Sequence, residues 1–109
     1  FQGTNANGTS RLAHLVLPGA TYAEKEGTFA NFEGRVQRFW RAVSPLGQSL
    51  PDGEILVRVA HALGHDWRPR GSEELFRELA GAVPAFAGLS YRDLGEPGRL
   101  AALPPKVDQ

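Results

Sequence analysis

The chain has 109 residues, enough for one small domain or part of a larger one, and a chain of this size buries roughly 65% of the surface its unfolded form exposes. Twelve Lys and Arg balance twelve Asp and Glu, so no basic excess draws it to nucleic acid or to an acidic membrane surface. The lack of cysteine excludes disulfides, thiolate zinc sites, iron–sulfur ligation and thiol catalysis on these residues, and no apolar run reaches the roughly 18 residues of a membrane span.

No signal-peptide pattern opens the chain. Phe1-Gln2-Gly3 matches the end of a common protease-cleavage tag and reads equally well as tag or as native chain, so residues 1–3 carry no expectation. Thr9-Ser10 can cap a brief helical turn. Leu12-Ala13-His14-Leu15-Val16-Leu17, stopped by Pro18-Gly19, has the near-continuous apolar pattern of a strand buried on both faces of a parallel sheet. Thr28-Phe29-Ala30 and Arg35-Val36-Gln37-Arg38-Phe39 flank Asn31-Phe32-Glu33-Gly34, whose leading Asn and closing Gly predict a β-hairpin. Residues 12–47 thus read as strand plus hairpin.

Residues 52–95 read as helical. Asp52 is placed to cap a helix with Ile55, Leu56, Val59 and Leu63 at three- and four-residue spacing and Gly64 at its stop. Ser72 is placed to cap a second, with Glu73 and Glu74 in its first turn and Leu75, Phe76 and Leu79 on one face, closed by Gly81 and Pro84. If both pack on one core, Ile55→Ala and Leu79→Ala each cost about 2–4 kcal/mol. Ser90-Tyr91-Arg92-Asp93 predicts a single capped turn ending at Gly95, and residues 96–109, with Pro97, Pro104 and Pro105, an irregular tail. One buried strand cannot form a parallel sheet alone, so the whole of 1–109 reads as one terminal segment of a larger α/β domain, with an unpaired strand edge when isolated.

The run Leu15-Val16-Leu17-Pro18, then Glu24-Lys25-Glu26-Gly27-Thr28, then Asn31-Phe32-Glu33-Gly34-Arg35-Val36-Gln37 resembles a signature of the molybdopterin oxidoreductase superfamily. Asp52 to Gly64, Phe76 to Val83 and Ala87-Gly88-Leu89-Ser90-Tyr91 resemble the stretch downstream of that signature in the large iron–sulfur subunit of NADH-quinone oxidoreductase, respiratory complex I. The resemblance implies the end of a Rossmann-like α/β domain. Its parent would carry iron–sulfur clusters elsewhere and pass electrons from NADH towards quinone, on the cytoplasmic side of the bacterial inner membrane. Ten Arg against two Lys, with abundant Ala and Gly, fit a bacterial, GC-rich coding sequence. Partners would be the rest of the subunit and other peripheral-arm subunits, with no nucleic acid and no direct membrane insertion. On this reading the segment is a non-catalytic scaffold, with no cofactor and no metal of its own.

The alternative within the superfamily is an active molybdenum or tungsten enzyme such as a formate dehydrogenase, in which the segment contacts molybdopterin guanine dinucleotide. Asn31, Glu33, Gly34, Arg35 and Gln37 are then the cofactor-binding candidates. Ligands of open α/β sheets sit beyond the carboxyl ends of the strands, and planar donors such as Arg35, Gln37 and Asn31 suit a phosphate or a pterin edge. Under the scaffold reading, Glu24, Lys25, Glu26, Glu33 and Arg35 instead form an ion-pair network fixing the hairpin. A free-standing interaction module is the alternative of another class, against which the orphan strand weighs.

Other candidates are weaker. His61 and His65 have zinc-ligand spacing, but Gly64 interrupts the helix and only Asp66 is near in sequence, so an exposed pair is expected. His14 reads as a hydrogen-bonded core or strand-end histidine. Ser10, Ser44, Ser49, Ser72 and Ser90 lack a nucleophile-elbow context. Phe39-Trp40, beside Arg38 and Arg41, reads as packing against helices rather than as a base-stacking platform.

Overall fold

The computed structural model describes residues 1–102 of the chain. These are a small mixed α/β set with two sheets and four helices, consistent with part of a molybdopterin oxidoreductase domain. They divide into two compact units: one of residues 1–26 and 40–71, the other of residues 27–39 with the chain from Ser72 onward.

In the first unit, β1 (Gln2–Gly3) runs parallel to β2 (Leu17–Pro18), with Gln2 opposite Leu17 and Gly3 opposite Pro18. Between them lies α1 (Gly8–Leu12). Its cap is Asn7 rather than Thr9 or Ser10: the Asn7 side chain accepts from the Ser10 amide, and the Ser10 hydroxyl accepts from the Asn7 amide in return. The strand expected over 12–17 is therefore much shorter. Leu12 ends α1, and Ala13–Val16 are irregular.

The expected burial and the expected free edge also differ. Leu12 is 84% and Leu15 64% exposed, and His14 is exposed rather than in a core. Both edges around Leu17–Ala20 are occupied. Leu17 and Gly19 donate to the carbonyls of Phe1 and Gly3; Leu50 donates to Pro18, and Ala20 donates to Leu50. The physical reason is that an apolar run encodes burial of its faces, whereas ladder length depends on what lies alongside, here two residues on one side and one on the other.

Helix α2 (Asp52–Ala62) follows Pro51, which holds the N-cap position without a side-chain bond; Asp52, expected as the cap, is the first helical residue. Asp52 and Glu54 lie at the positive end of the helix, and Gly64 at φ +88° lies just past its stop. Ile55 is buried, while Leu56 and Leu63 are exposed.

In the second unit, β3 (Gly27–Ala30) and β4 (Arg35–Phe39) form the expected antiparallel hairpin. A third strand, β5 (Arg99–Leu100), pairs antiparallel with β4 inside the expected irregular tail; residues 103–109 of that tail lie outside the described residues. Gly98 makes this pairing possible. Its φ is +71°, and a Cβ there would lie 2.3 Å from the Val36 carbonyl oxygen.

Helix α3 (Ser72–Ala82) begins at Ser72 and runs past Gly81, a 3₁₀ turn opens at Pro84, and α4 (Tyr91–Leu94) is capped by Ser90 as expected. Val36, Phe76, Tyr91 and Leu94 form the core of this unit, with Phe86, Leu89 and Ala101 against it. Ile55 is buried in the first unit and Phe76 in the core of the second.

Burial sets the expected mutational costs. Leu94→Ala, at 1% exposure, should lose about 2–4 kcal/mol in urea unfolding, whereas Leu79→Ala, at 38%, should lose under about 1 kcal/mol. Gly98→Ala should cost more than about 1 kcal/mol by forcing β5 off β4, seen as faster amide exchange at Ala101, whose N–H donates to Gly34.

Candidate functional site

The hairpin carries all five cofactor-binding candidates, and its turn divides them by role. The Asn31 side-chain oxygen accepts from the amides of Glu33 at 3.0 Å and Arg35 at 2.9 Å. Its own backbone N–H donates to the Arg35 carbonyl, and its carbonyl accepts from Gly34. Gly34 is buried at φ +79°, a conformation that favours glycine. Asn31 and Gly34 thus build the turn. Glu33 and Phe32 project at its exposed tip.

Beyond the turn, side chains alternate. Val36 points into the core, and Arg38 on the same side lies 4.5 Å over the Tyr91 ring. Arg35, Gln37 and Phe39 point outward, opposite Leu100, Phe29 and Gly27 respectively. Phe29 and Phe39 stack across the strands with centroids 4.4 Å apart and planes 18° apart, leaving Phe29 56% exposed. Phe39 therefore packs against a strand neighbour rather than the expected helix, and Trp40 is exposed.

Arg35 and Gln37 stand two residues apart on this face, roughly 7 Å. Arg35 is half-buried, and its guanidinium donates to the Pro97 carbonyl at 3.5 Å, a long bond. The Gln37 side chain is exposed and makes no hydrogen bond among the described residues. A planar cation, a carboxamide and an aromatic pair on one sheet face can grip an anion and the edge of a flat heterocycle.

The ion-pair network expected through Glu24, Lys25, Glu26, Glu33 and Arg35 is differently wired. Lys25 pairs with Asp52, which also accepts from the Gln2 side chain at 2.7 Å. Glu24 accepts backbone amides, from Thr21 at 2.8 Å and Leu46 at 3.0 Å. Ala23 adds to this clasp, its carbonyl accepting from Ala42 and Val43. Sequence reasoning misses Asp52 as the hub, because its place ahead of an apolar-periodic run speaks only for its own helix. The Thr21 amide holds the Glu24 carboxyl below its ordinary value, against the opposing effect of burial. At Asp52, burial pushes the carboxyl up, but bonds from Lys25 and Gln2 and the charge of Lys25 outweigh it and leave it below its ordinary value.

His61 and His65 are both exposed; Nε2 of His61 lies 2.6 Å from the Trp67 carbonyl, and Asp66 pairs with Arg68. Among the described residues, no group of three or more His, Cys, Asp or Glu is placed to hold a metal ion, and no helix is long and apolar enough to cross a membrane.

Residues 1–62, which include the loop after β2 and the Asn–Gly hairpin, match the molybdopterin oxidoreductase family. The chain belongs to that family. Among its relatives is a protein of Staphylococcus aureus, provisionally named a formate dehydrogenase, 43% identical over 86 residues, which are 79% of this chain and 9% of the relative. A Staphylococcus haemolyticus protein of the same provisional name is 42% identical over 86 residues, with the same coverage. The chain thus spans about a tenth of the length of these relatives.

Both depressed carboxyls favour the folded state when ionised. Stability should be level above about pH 5 and fall as pH drops through the folded values, which lie below the ordinary carboxyl values. Melting midpoints between about pH 7 and pH 2.5 should show this fall. Asp52→Asn should make it shallower and lower the midpoint at neutral pH, because it removes the carboxylate that Lys25 pairs with.

Proposed function

We propose that the chain is a segment of a molybdenum- or tungsten-dependent oxidoreductase of the formate dehydrogenase type, and that the outward face of its hairpin contacts the pterin dinucleotide. The observation that carries this reading is the pair Arg35 and Gln37, side by side on an outward sheet face, whose side chains together make one long hydrogen bond among the described residues, from Arg35 to the Pro97 carbonyl. Their donor chemistry fits the group: a guanidinium for a phosphate oxygen, and a carboxamide for the mixed donor and acceptor edge of a pterin or guanine. Asn31 and Gly34 fit it only indirectly, since their polar groups are used in the turn. Glu33, an exposed carboxylate at the tip, would repel a phosphate and fits it poorly.

When bound, the metal–pterin group supplies the two-electron oxidation and reduction chemistry, with formate as the substrate suggested by the names of the relatives. This chain's residues bind and orient. The same names favour this reading over the complex I large subunit expected from the helical half. Because the chain lacks cysteine, any iron–sulfur cluster of the parent takes its thiolates from elsewhere.

In the full-length parent, Arg35→Ala and Gln37→Ala should each leave the melting midpoint within a degree or two of wild type while lowering molybdenum or tungsten content, with the double variant lower than either. Elemental analysis of purified protein checks this. Full metal content in the double variant would contradict the reading.

A further inference from the structure

Of the three asparagines in the chain, Asn7 alone is followed by glycine. Asn7 and Gly8 are both exposed, at the entrance to α1, and the Asn7 backbone is extended at φ −150° and ψ −174°. The Asn7 side-chain oxygen accepts from the Ser10 amide at 3.0 Å, while its Nδ2 makes no hydrogen bond among the described residues. Gly8 stands in open surroundings, with nothing within 4 Å of where a Cβ would lie. Its N–H takes the first helical position, which has no partner inside a helix.

Together these features suit an attack of the main chain on the side chain. The bond from the Ser10 amide draws electron density from the Asn7 carboxamide and makes Cγ more electrophilic. Residue 8 has no side chain to hinder the approach of its nitrogen. The Gly8 nitrogen bonds to Cγ and gives up its proton, the Cγ–Nδ2 bond breaks, and Nδ2 leaves as ammonia. Water then opens the cyclic imide at either carbonyl, giving aspartate or isoaspartate. One water is taken up and one ammonia released, so no oxidant, reductant or cofactor is needed.

We propose that Asn7-Gly8 is a site of spontaneous covalent modification, at which the cap of α1 is converted with time into an aspartate or an isoaspartate. The other two asparagines lack this combination. Asn31 is followed by Phe32, and its oxygen is fixed by two amides of the hairpin turn; Asn5 is followed by Ala6. The two products act oppositely on α1. Aspartate keeps the acceptor for the Ser10 amide and brings a negative charge to the positive end of the helix. Isoaspartate adds a carbon to the main chain between residues 7 and 8. That separates the reciprocal bonds of Asn7 and Ser10 and leaves the buried Ser10 without its partner. The site is separate from the hairpin face, so the inference does not depend on the pterin contact.

The test is incubation of the full-length parent, folded, in mildly alkaline buffer, with peptide mass spectrometry at intervals. Deamidation should proceed severalfold faster at Asn7 than at Asn5 or Asn31 in the same sample, and fragmentation should identify isoaspartate among the products at position 7. A second protein carries Gly8→Ala. Gly8 does not have a positive φ and has room for a Cβ, so this variant keeps the backbone while adding the hindrance. In it, the rate at Asn7 should fall to that of Asn5. Conversion at Asn7 no faster than at the other two asparagines would overturn the proposal, a comparison that needs no variant to fold. An unchanged rate in Gly8→Ala would overturn it as well.

Discussion

The carboxamide of Asn31 determines where the hairpin turns, and everything that distinguishes the two faces of β4 depends on it. By taking the amides of Glu33 and Arg35 together, it starts β4 at Arg35 and places Val36 in the core. The two-residue period then sends Arg38 to the Tyr91 side and Gln37 outward. A slip of one residue would expose Val36 and bury Arg35, an uncompensated charge that costs several kcal/mol. The register is therefore held from both sides, by turn geometry and by the core. Gly98 completes the arrangement by letting β5 approach β4 more closely than any Cβ would permit.

The first unit solves a different problem. Its loop after β2 has little apolar burial to hold it and relies on polar clasps instead: Glu24 to two backbone amides, Ala23 to two more, and Lys25 with Gln2 converging on Asp52. Lys25 is mostly buried and Asp52 about half exposed, so the pair contributes on the order of 1 kcal/mol or less. Position matters more than energy here. The clasp joins the end of β2 to the first turn of α2, where a negative charge is favoured by the helix dipole.

Local signals in the sequence foretell the elements whose bonds are local. The Asn31–Gly34 turn, the Ser90 cap, α2 with Gly64 beyond it, and the apolar spacing around Phe76 all arise from interactions within a few residues. The features that escape it depend on distant contacts. The apolar run 12–17 reads as a buried strand because it encodes burial, but the described residues supply only short edge partners and leave Leu12, Leu15 and Val16 exposed. Arg99–Leu100 becomes a strand only because Gly98 allows it to reach β4, and Asp52 becomes a hub only because Lys25 and Gln2 arrive from 27 and 50 residues away. The same limit applies to the site. Five residues of one motif look alike as candidates, and only the alternation along β4 separates the two outward donors, Arg35 and Gln37, from the turn builders, Asn31 and Gly34.

The central claim is that this face of the hairpin borders the metal–pterin group of a larger enzyme. A cryo-electron microscopy structure of the full-length parent, purified with its metal, addresses it most directly. The account predicts Arg35 within about 3 Å of a phosphate oxygen and Gln37 within about 3 Å of a ring nitrogen or oxygen of the pterin dinucleotide. A structure in which both side chains are bonded to protein groups, with the dinucleotide bound elsewhere, would contradict it.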